Sequence, residues 1–356
     1  MDIEILKFSE IDLKDKFFDS LRASYETFDD WFQNKADDNQ SAYVFRDERS
    51  GDVLDFLYLK EEEKEIDDVI PPLPYKKHLK VGTFKITPRH TRRGERFMKK
   101  IMDVAIVEKY DDIYVTIFPT DELQSLIKVF ERYGFEKKGI KKHDNGTIEN
   151  VYVKDLSSSK GDVLKDYPFV HLNGHDKWLL SIYPDYHTKL FPDSILKNEN
   201  PYNLLQDVSE TNSIHKIYIC WMKDVWRMNR GDIVVIYRTN DGAGSAAYRS
   251  VTTSVCLVEE IRTFQDFDDV EDFVKYTNVY SVFSERDLRN WYRYKNNFTV
   301  VKMTYNVAFR KKVIRKTMLE EVHMDSSAYW GFFRLNDNQF KQIVKLGEAD
   351  ERYFVN

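Results

Sequence analysis

The sequence predicts a two-domain α+β protein, with a mixed α/β sheet in the first half and a small β-barrel carrying helical insertions in the second. With 356 residues, 42% of them hydrophobic, the chain can bury more than one core. Strands alternate with amphipathic helices up to a serine-rich stretch near residue 157, and closely spaced strands with glycine-containing turns follow it. We therefore expect domains at 1–156 and 165–356, joined by a linker at 157–164.

Composition narrows the class of protein. The formal net charge of -6 argues against non-specific adhesion to nucleic acid, although binding through a local basic patch is still possible. Cys220 and Cys256 are the two cysteines and form no Cys-x-x-Cys pair, so neither a disulfide framework nor a metal site is expected. The first residues lack the pattern of a signal peptide, and no apolar run approaches bilayer length. We expect a cytoplasmic protein with no membrane partner.

The residues before the first prolines, which lie at 71–74, are predicted to form strands and helices. Hydrophobic periodicity predicts a strand at 2–10, helices within 13–40, and strands at 41–46 and 53–60. The acidic run 61–68 predicts a solvated loop, and the prolines at 71–74 predict a connector after it.

A strand, a basic turn and a helix follow in that order. Val81–Ile86 is rich in β-branched and aromatic residues, and helical spacing begins at Phe97. The first turn of a helix has N–H groups without intrahelical partners, so a turn leading into it can cradle phosphate. Arg92, Arg93 and Arg96 add charged donors. Three arginines oppose the helix dipole unless an anion is present, which favours a pyrophosphate-bearing ligand over an ordinary solvated loop.

Another strand, helix and hairpin complete the first half. A strand at 112–118 leads into a helix that ends near Gly134. Strands at 136–142 and 147–154 flank a tight turn, for which Asn145-Gly146 is a strong signal.

On these residues the first half resembles the GNAT acetyltransferase superfamily. The family's V-x-P and Q/R-x-x-G-x-G/A loop reads here as Ile86-Thr87-Pro88 and Thr91-Arg92-Arg93-Gly94-Glu95-Arg96, and its aromatic-x-x-x-Gly-Phe as Phe130 to Phe135. Three positions depart from the family pattern. Thr91 replaces Gln or Arg, Arg96 replaces a small residue, and Phe130 stands where many members place the tyrosine that acts as general acid.

The resemblance implies transfer of an acetyl group from acetyl-CoA to an amine. The residues implied in cofactor binding are Phe84, Lys85 and Ile86 for the pantetheine arm, and Arg92, Arg93, Gly94, Glu95, Arg96 and Phe97 for the pyrophosphate. Because Phe130 has no proton to give, either Tyr133, Tyr114 or a water replaces it as acid, or the thiolate leaves unassisted. Glu149 is a candidate base acting through water. Residues 25–32 would border the acceptor entrance, although such an aromatic stripe is more often core.

The second half offers a weaker resemblance. Strands at 216–221, 232–238 and 248–261 are followed by helices near 266–276, 285–294 and 337–346. Through Arg230-Gly231-Asp232-Ile233-Val234 and Cys256-Leu257-Val258-Glu259-Glu260 this half resembles the PUA-like barrels, which include the ASCH and EVE groups. The resemblance implies binding of RNA or of modified nucleobases.

One helix of the second half carries a mixture suited to nucleic acid. Its basic and aromatic side chains alternate, which would hold phosphates while stacking bases, at Arg286, Arg289, Trp291, Arg293 and Lys295. A solvated helix with its rings in the core explains the same pattern.

Two functions from different classes stay open. The first is an acetyltransferase whose second domain presents RNA or an RNA-associated acceptor, such as an aminoacyl-tRNA or a ribosomal protein, as in toxin-like GNAT enzymes. The second is a non-catalytic protein that binds nucleic acid or a modified nucleobase and uses a degenerate GNAT scaffold. The acceptor and the oligomeric state are not predicted.

Overall fold

The computed structural model describes residues 3–87, 93–191 and 213–356. The chain divides into two compact units, Met1–Lys160 and Gly161–Asn356. This division falls within the stretch 157–164, whose composition is that of a linker. Within the described residues, no helix is both long and apolar enough to cross a bilayer.

The first unit is built on a seven-stranded mixed sheet. Its strands are β1 (Glu4–Lys7), β2 (Ser41–Arg46), β3 (Val53–Ile66), β4 (Leu73–Ile86), β5 (Asp112–Ile117), β6 (Glu136–Lys142) and β7 (Ile148–Asp155). Its helices are α1 (Asp19–Ser24), α2 (Phe28–Asp37), α3 (Arg93–Val107) and α4 (Gln124–Arg132). The strand order is β1-β2-β3-β4-β5-β7-β6. The β4–β5 pair is parallel, and the other neighbours are antiparallel.

Aromatic packing fixes α1 and α2 against one face of this sheet. Phe8, Phe18 and Phe32 are buried together with Phe56 of β3. Their rings meet edge to face, with Phe8 and Phe32 centroids 4.8 Å apart and Phe18 and Phe56 centroids 5.4 Å apart. The aromatic stripe in 25–32 is thus largely core, and Phe28 also belongs to it.

The acidic run 61–68 is not a solvated loop, contrary to the sequence prediction. Strand β3 continues to Ile66, and β4 begins at Leu73 among the prolines. Glu63 faces Lys77 across the two strands, and Lys77 Nζ is 3.3 Å from Glu61 Oε2. Opposite charges on facing strands stabilise a sheet, so the lysines of β4 make an acidic strand tolerable.

The second unit contains a six-stranded sheet and a two-stranded sheet. Its strands are β8 (Val170–His171), β9 (Lys177–Ile182), β10 (His215–Cys220), β11 (Ile233–Arg238), β12 (Val251–Thr263), β13 (Thr299–Ile314), β14 (Phe332–Leu335) and β15 (Phe354–Val355). Its helices are α5 (Pro184–Leu190), α6 (Ala246–Arg249), α7 (Val270–Thr277), α8 (Glu285–Tyr294), α9 (Arg315–Glu320) and α10 (Asp337–Leu346). The larger sheet has the order β10-β13-β12-β11-β9-β14, and β15 pairs with β8.

The predicted barrel is not confirmed. Among the described residues, β10 and β14 are the two ends of the strand order, and no pairing joins them. The predicted helical insertions are present as α7, α8 and α10. Ser284 and Asn336 cap α8 and α10 by accepting the backbone N–H groups of Asp287 and Gln339.

A buried histidine makes the second unit sensitive to acid. His187 on α5 is fully buried, and its Nε2 is 2.8 Å from Thr253 Oγ1. Burial, together with Arg238 and Lys312, lowers the pKa of His187 to about 3. An unfolded histidine has a pKa of about 6.5, so the folded unit excludes a proton that the unfolded chain accepts. This contribution is complete above pH 6.5 and is lost as the pH falls towards 3.

We therefore expect His187 to account for about 3 kcal/mol of lost stability between pH 6.5 and pH 4. The His187→Gln variant, which keeps a polar partner for Thr253, should lose less stability over that range than the wild type. Urea denaturation at several pH values, followed by tryptophan fluorescence, measures this difference. The exposed His323, replaced in a His323→Gln control, should leave the wild-type slope unchanged. Equal slopes in all three proteins would contradict the expectation.

Candidate active site

Strands β4 and β5 part in the middle of the first sheet. Their parallel register ends at the pair Val81 and Val115. Beyond this pair, β4 continues to Ile86 against β3, and β5 continues to Ile117 against β7. Each strand therefore keeps its outer neighbour, while no pairing joins the two strands beyond this point in the described part of the chain.

A bulge at Gly82 lies where the strands part. Tyr58 of β3 faces Thr83, whereas the next residue, Leu59, faces Val81, so Gly82 has no opposite residue. A bulge bends its strand and increases the local twist. A Cβ atom at position 82 would lie 2.7 Å from Cδ1 of Tyr58, so a larger residue would displace that ring. The glycine thus permits the bend that opens the sheet.

The parted segment of β4 is open to solvent. Leu79 and Val81 are buried, but Gly82 is exposed and residues 83–86 are half-buried, although all lie within a central strand. A strand edge without a neighbour presents backbone N–H and C=O groups that an extended ligand can pair with. Helix α3 begins at Arg93, shortly after β4 ends. The open edge therefore leads towards the N-terminus of a helix.

The side chains of two predicted phosphate ligands turn into the protein. Arg93 Nε is 2.7 Å from Asp55 Oδ2, and these side chains are 4% and 0% exposed. The guanidinium of Arg96, which is also buried, lies 4.6 Å from the centre of the Phe45 ring. These guanidinium groups are engaged in the core, contrary to the prediction that they are free to hold phosphate. Arg92 lies outside the described residues.

Asp55 holds both ends of the segment between β4 and α3. One carboxylate oxygen accepts the backbone N–H of Thr87 at 2.9 Å, and the other forms the ion pair with Arg93. Thr87 Oγ1 also donates to the carbonyl of Leu54 at 2.6 Å. The buried carboxylate thus positions the end of the strand relative to the start of the helix.

The side chains of β4 are engaged within the first unit. The Phe84 ring packs against Phe97 and Phe130, with centroids 5.8 and 5.5 Å away. Lys85 Nζ donates to the carbonyl of Phe17 and lies 4.4 Å from the centre of its ring. These positions therefore offer a ligand their backbone groups rather than their side chains.

The start of α3 packs closely on the end of β4. A Cβ atom at Gly94 would lie 3.0 Å from Cδ1 of Ile86, so the small residue permits this approach. Glu95 is half-buried in the first turn of the helix. A carboxylate there suits the helix dipole but would repel a phosphate, so Glu95 fits the predicted site through its backbone alone.

The candidate acid positions are deeply buried. Phe130 and Tyr133 are both 0% exposed. Tyr133 follows the last residue of α4, and its carbonyl accepts Lys154 Nζ at 2.7 Å. Tyr114 is also buried and donates its hydroxyl to Glu62. Both tyrosine hydroxyls are therefore enclosed by the protein, and the acid role of Tyr133 stays a prediction from the sequence.

A buried carboxylate with two donors lies beyond the end of β5. Glu149 is 2% exposed. Its Oε1 accepts the Tyr25 hydroxyl at 2.9 Å, and its Oε2 is 3.0 Å from His143 Nε2. The Phe118 ring completes the cluster, with its centroid 5.4 Å from Tyr25 and 5.9 Å from His143. Burial and the negative charge of Glu149 raise the pKa of Tyr25, so this hydroxyl stays protonated and donates.

The strand register places the cluster around Glu149 at the end of the sheet where β4 and β5 separate. The last pair between β5 and β7 joins Ile117 to Asn150, so Phe118 and Glu149 are the next residues on either side. The pairing of β5 with β4 ends earlier, at Val115. The Tyr25–Phe118–His143–Glu149 cluster therefore borders the end at which the two central strands separate.

His143 has no predicted role beyond its place in a turn, yet the hairpin contains a signal for it. Lys141 faces Glu149 across the hairpin, and the His143 N–H donates to the Thr147 carbonyl at 3.0 Å. Residues two apart on a strand share a face, so His143 lies diagonal to Glu149. The Asn145-Gly146 turn therefore fixes the hairpin register that brings His143 next to Glu149.

The five residues predicted to contact nucleic acid, on α8 and just after it, divide into two groups. Arg289 forms ion pairs with Glu271 and Glu285, which balance its charge. Trp291 is half-buried against Phe283, with centroids 4.7 Å apart. Two of the five predicted side chains are thus held by contacts within the unit.

The other three residues are exposed, and one of them, Lys295, lies beside an exposed tryptophan. Arg286, Arg293 and Lys295 are exposed. Lys295 Nζ is 5.5 Å from the ring centre of Trp221, which is 41% exposed, and the Trp221 indole N–H donates to the Lys295 carbonyl at 2.9 Å. Sequence analysis missed Trp221 because it follows a buried strand far from α8 along the chain.

In the described part of the chain, no three His, Cys, Asp or Glu side chains are grouped as metal ligands. No protein-family model matches the chain, and no curated protein matches it.

Solved structures of two kinds resemble parts of this chain. ASCH from Zymomonas mobilis is 10% identical, with 48% of this chain and 95% of that chain covered and a TM-score of 0.33. An N-acetyltransferase from Staphylococcus aureus Mu50 is 14% identical over 44% of this chain and 99% of that chain, with a TM-score of 0.29. A GNAT-family acetyltransferase from Desulfovibrio desulfuricans is 10% identical over 43% and 99%, with a TM-score of 0.29. These values are too low to assign the chain to a family.

Proposed function

We propose that the first unit is an acetyl-CoA-dependent N-acetyltransferase. The parting of β4 from β5 at Gly82 carries this proposal, because it leaves a solvent-open strand edge inside a sheet. The pantetheine arm is extended and amide-bearing, so it can pair with the backbone of 84–86 as an added strand would. The N–H groups at the start of α3, within 93–97, suit the pyrophosphate. A backbone N–H near the bulge can polarise the thioester carbonyl.

The cluster at the parting supplies the proton chemistry that this reaction needs. An amine must lose a proton before or during its attack on the thioester. Glu149 places a buried negative charge at the end of β5, where it supports that loss. No side-chain acid is assigned to the leaving thiolate, since Phe130 has no proton and Tyr133 is buried.

Calorimetry with acetyl-CoA tests the proposal. The wild-type protein should bind acetyl-CoA, and Arg92→Glu should weaken binding about 10- to 100-fold by removing a charge-assisted contact to the pyrophosphate. Lys128→Glu, a charge reversal at an exposed position of α4, serves as the control and should bind as the wild type does. A wild-type protein that binds no acetyl-CoA would overturn the proposal.

The proposal specifies the acceptor only by its chemical class, a primary amine. An RNA-associated acceptor, such as an aminoacyl-tRNA or a ribosomal protein, stays a prediction from the sequence resemblance. Mass spectrometry of RNA and protein that co-purify with the full chain would identify it.

Binding of nucleic acid by the second unit is a second candidate function. The exposed Trp221, with Lys295 beside its ring, favours it, since a ring for stacking next to a cation suits single-stranded nucleic acid. This function is also the alternative to catalysis, in which the first unit would serve as a scaffold.

For this second function, Trp221→Ala should weaken binding of a single-stranded RNA oligonucleotide about 5- to 150-fold, because stacking contributes about 1–3 kcal/mol per base. Lys295→Ala should reduce the slope of log affinity against log salt by about one, since one phosphate contact is lost. Filter binding at several salt concentrations measures both. The exposed Tyr75, replaced in Tyr75→Ala, is the control. A flat salt response in the wild type would exclude phosphate contacts.

A further inference from the structure

We infer that His143 takes the proton from the attacking amine, and that Glu149 and Tyr25 are positioning residues that hold His143 in the required state. The inference rests on the proposed acetyl transfer and deepens it. It follows from the burial, the hydrogen bonds and the location of the cluster at the parting of β4 and β5.

Glu149 itself is poorly placed to meet an amine. It is 2% exposed, and both carboxylate oxygens already have partners, Tyr25 at Oε1 and His143 at Oε2. A carboxylate enclosed in this way can orient a neighbour and balance its charge, but a substrate cannot approach it. The group that contacts the amine must therefore lie outside it.

His143 is the member of the cluster that combines access with basicity. Its side chain is 28% exposed, compared with 3% for Glu149. With Glu149 ionised, His143 Nε2 carries the hydrogen and donates it, which assigns the lone pair of the neutral ring to Nδ1. Nδ1 can then accept a proton, and the resulting imidazolium is stabilised by the carboxylate next to it.

Tyr25 holds Glu149 from the other side. Its hydroxyl stays protonated, because burial and Glu149 raise its pKa, so it donates to Oε1 and does not take up the substrate proton. The Phe118 ring lies against both Tyr25 and His143 and limits their movement. The three side chains around the carboxylate come from separate parts of the chain, so only the folded unit assembles them.

The proton and electron balance of the step is complete without a further reactant. The ammonium group of the acceptor gives one proton to Nδ1 of His143 and becomes a neutral amine. Its nitrogen attacks the acetyl carbonyl carbon, the new C–N bond forms, and the C–S bond breaks with its electron pair on sulfur. The remaining excess proton on nitrogen passes to the thiolate, which gives the amide and free CoA. The His143 proton then leaves to water.

A comparison of two small nucleophiles, ethylamine and hydroxylamine, distinguishes proton removal from the other roles of the site. Ethylamine is almost fully protonated at neutral pH and needs a base, whereas hydroxylamine is largely unprotonated and does not. The His143→Gln variant keeps an amide N–H for Glu149 but cannot accept a proton. We expect it to lower acetyl transfer from acetyl-CoA to ethylamine about 100-fold, the usual size of a general-base effect, and to change transfer to hydroxylamine less than about threefold.

Asp144→Asn, at the exposed neighbour in the same turn, is the matched control and should leave both rates unchanged. An equal loss with both nucleophiles would show a merely structural role and overturn the inference, as would no loss with either. A wild-type protein that binds acetyl-CoA but acetylates neither nucleophile also overturns it, while leaving the cofactor site in place. Failure to bind acetyl-CoA at all is a different result, which overturns the proposed function itself.

Discussion

Replacing Asp55 with alanine is expected to destabilise the first unit by about 3–5 kcal/mol, the usual cost of removing one partner from a buried ion pair. The change leaves the buried guanidinium of Arg93 without its carboxylate and removes one of the two acceptors of the Thr87 N–H, the other being the Leu54 carbonyl. Urea denaturation of wild type and variant, with equal m-values, gives this difference in the free energy of unfolding.

An exposed ion pair provides the control for Asp55. Glu4 and Arg46 pair at the edge of the same sheet with side chains that are 41% and 37% exposed. Glu4→Ala should therefore cost no more than about 1 kcal/mol. Arg93→Met should also be strongly destabilising, but the double variant Asp55→Ala, Arg93→Met should lose less than the sum of the two single changes. Strict additivity would contradict a direct pair.

The same pair changes how a charge reversal at Arg93 must be interpreted. Arg93→Glu would place a second carboxylate next to Asp55 inside the core. The expected result is unfolding, so a loss of acetyl-CoA binding in that variant would say nothing about a contact with the cofactor. Arg92 is the arginine whose reversal tests the predicted phosphate contact.

Glu149→Gln is expected to lower acetyl transfer to ethylamine by up to about 100-fold, no more than the loss of His143 itself, while the unit stays folded. The amide has the same shape as the carboxylate, but it can neither balance the charge of a protonated His143 nor fix the hydrogen on Nε2. Transfer to hydroxylamine should change far less. Initial rates of CoA release with each nucleophile measure both effects.

Two further measurements separate this effect from instability. Thermal unfolding of Glu149→Gln should stay close to that of the wild type, because the Tyr25 hydroxyl can still donate to the amide oxygen. Glu131→Gln, an exposed position on α4, should leave both rates unchanged. A variant that acetylates ethylamine at the wild-type rate would remove Glu149 from the catalytic account.

The elements that the sequence predicts best are those with local signals. Helices α8 and α10 begin after the capping residues Ser284 and Asn336 and carry strong amphipathic spacing, so their bounds agree with the prediction. The β6–β7 hairpin agrees equally well, because Asn145-Gly146 fixes its turn. Each of these depends on neighbours only a few residues away.

The features that differ from the prediction depend on distant residues. Asp55 lies far from Arg93 along the sequence, so a run of arginines gave no sign that one of them is paired inside the core. The acidic end of β3 is stabilised by lysines on β4, which the run itself does not reveal. The predicted barrel rested on strand spacing, and spacing does not specify whether the first and last strands meet.

The candidate site lies between these two cases. Glu149 was predicted from its place on the last strand of the first unit, and its partner His143 is implied by the hairpin register. Tyr25 comes from the loop before α2, and its contact with Glu149 depends on the packing of the helices against the sheet. The local half of the cluster was therefore accessible from the sequence, and the distant half was not.

Hydrogen exchange with and without acetyl-CoA tests the central claim most directly. If the open edge of β4 holds the pantetheine arm, the amides within 82–86 that point away from β3 should exchange quickly in the free protein and slow down when acetyl-CoA is added, whereas those bonded to β3 should change little. The second unit should show no change. Binding of acetyl-CoA without added protection in this stretch would contradict the account.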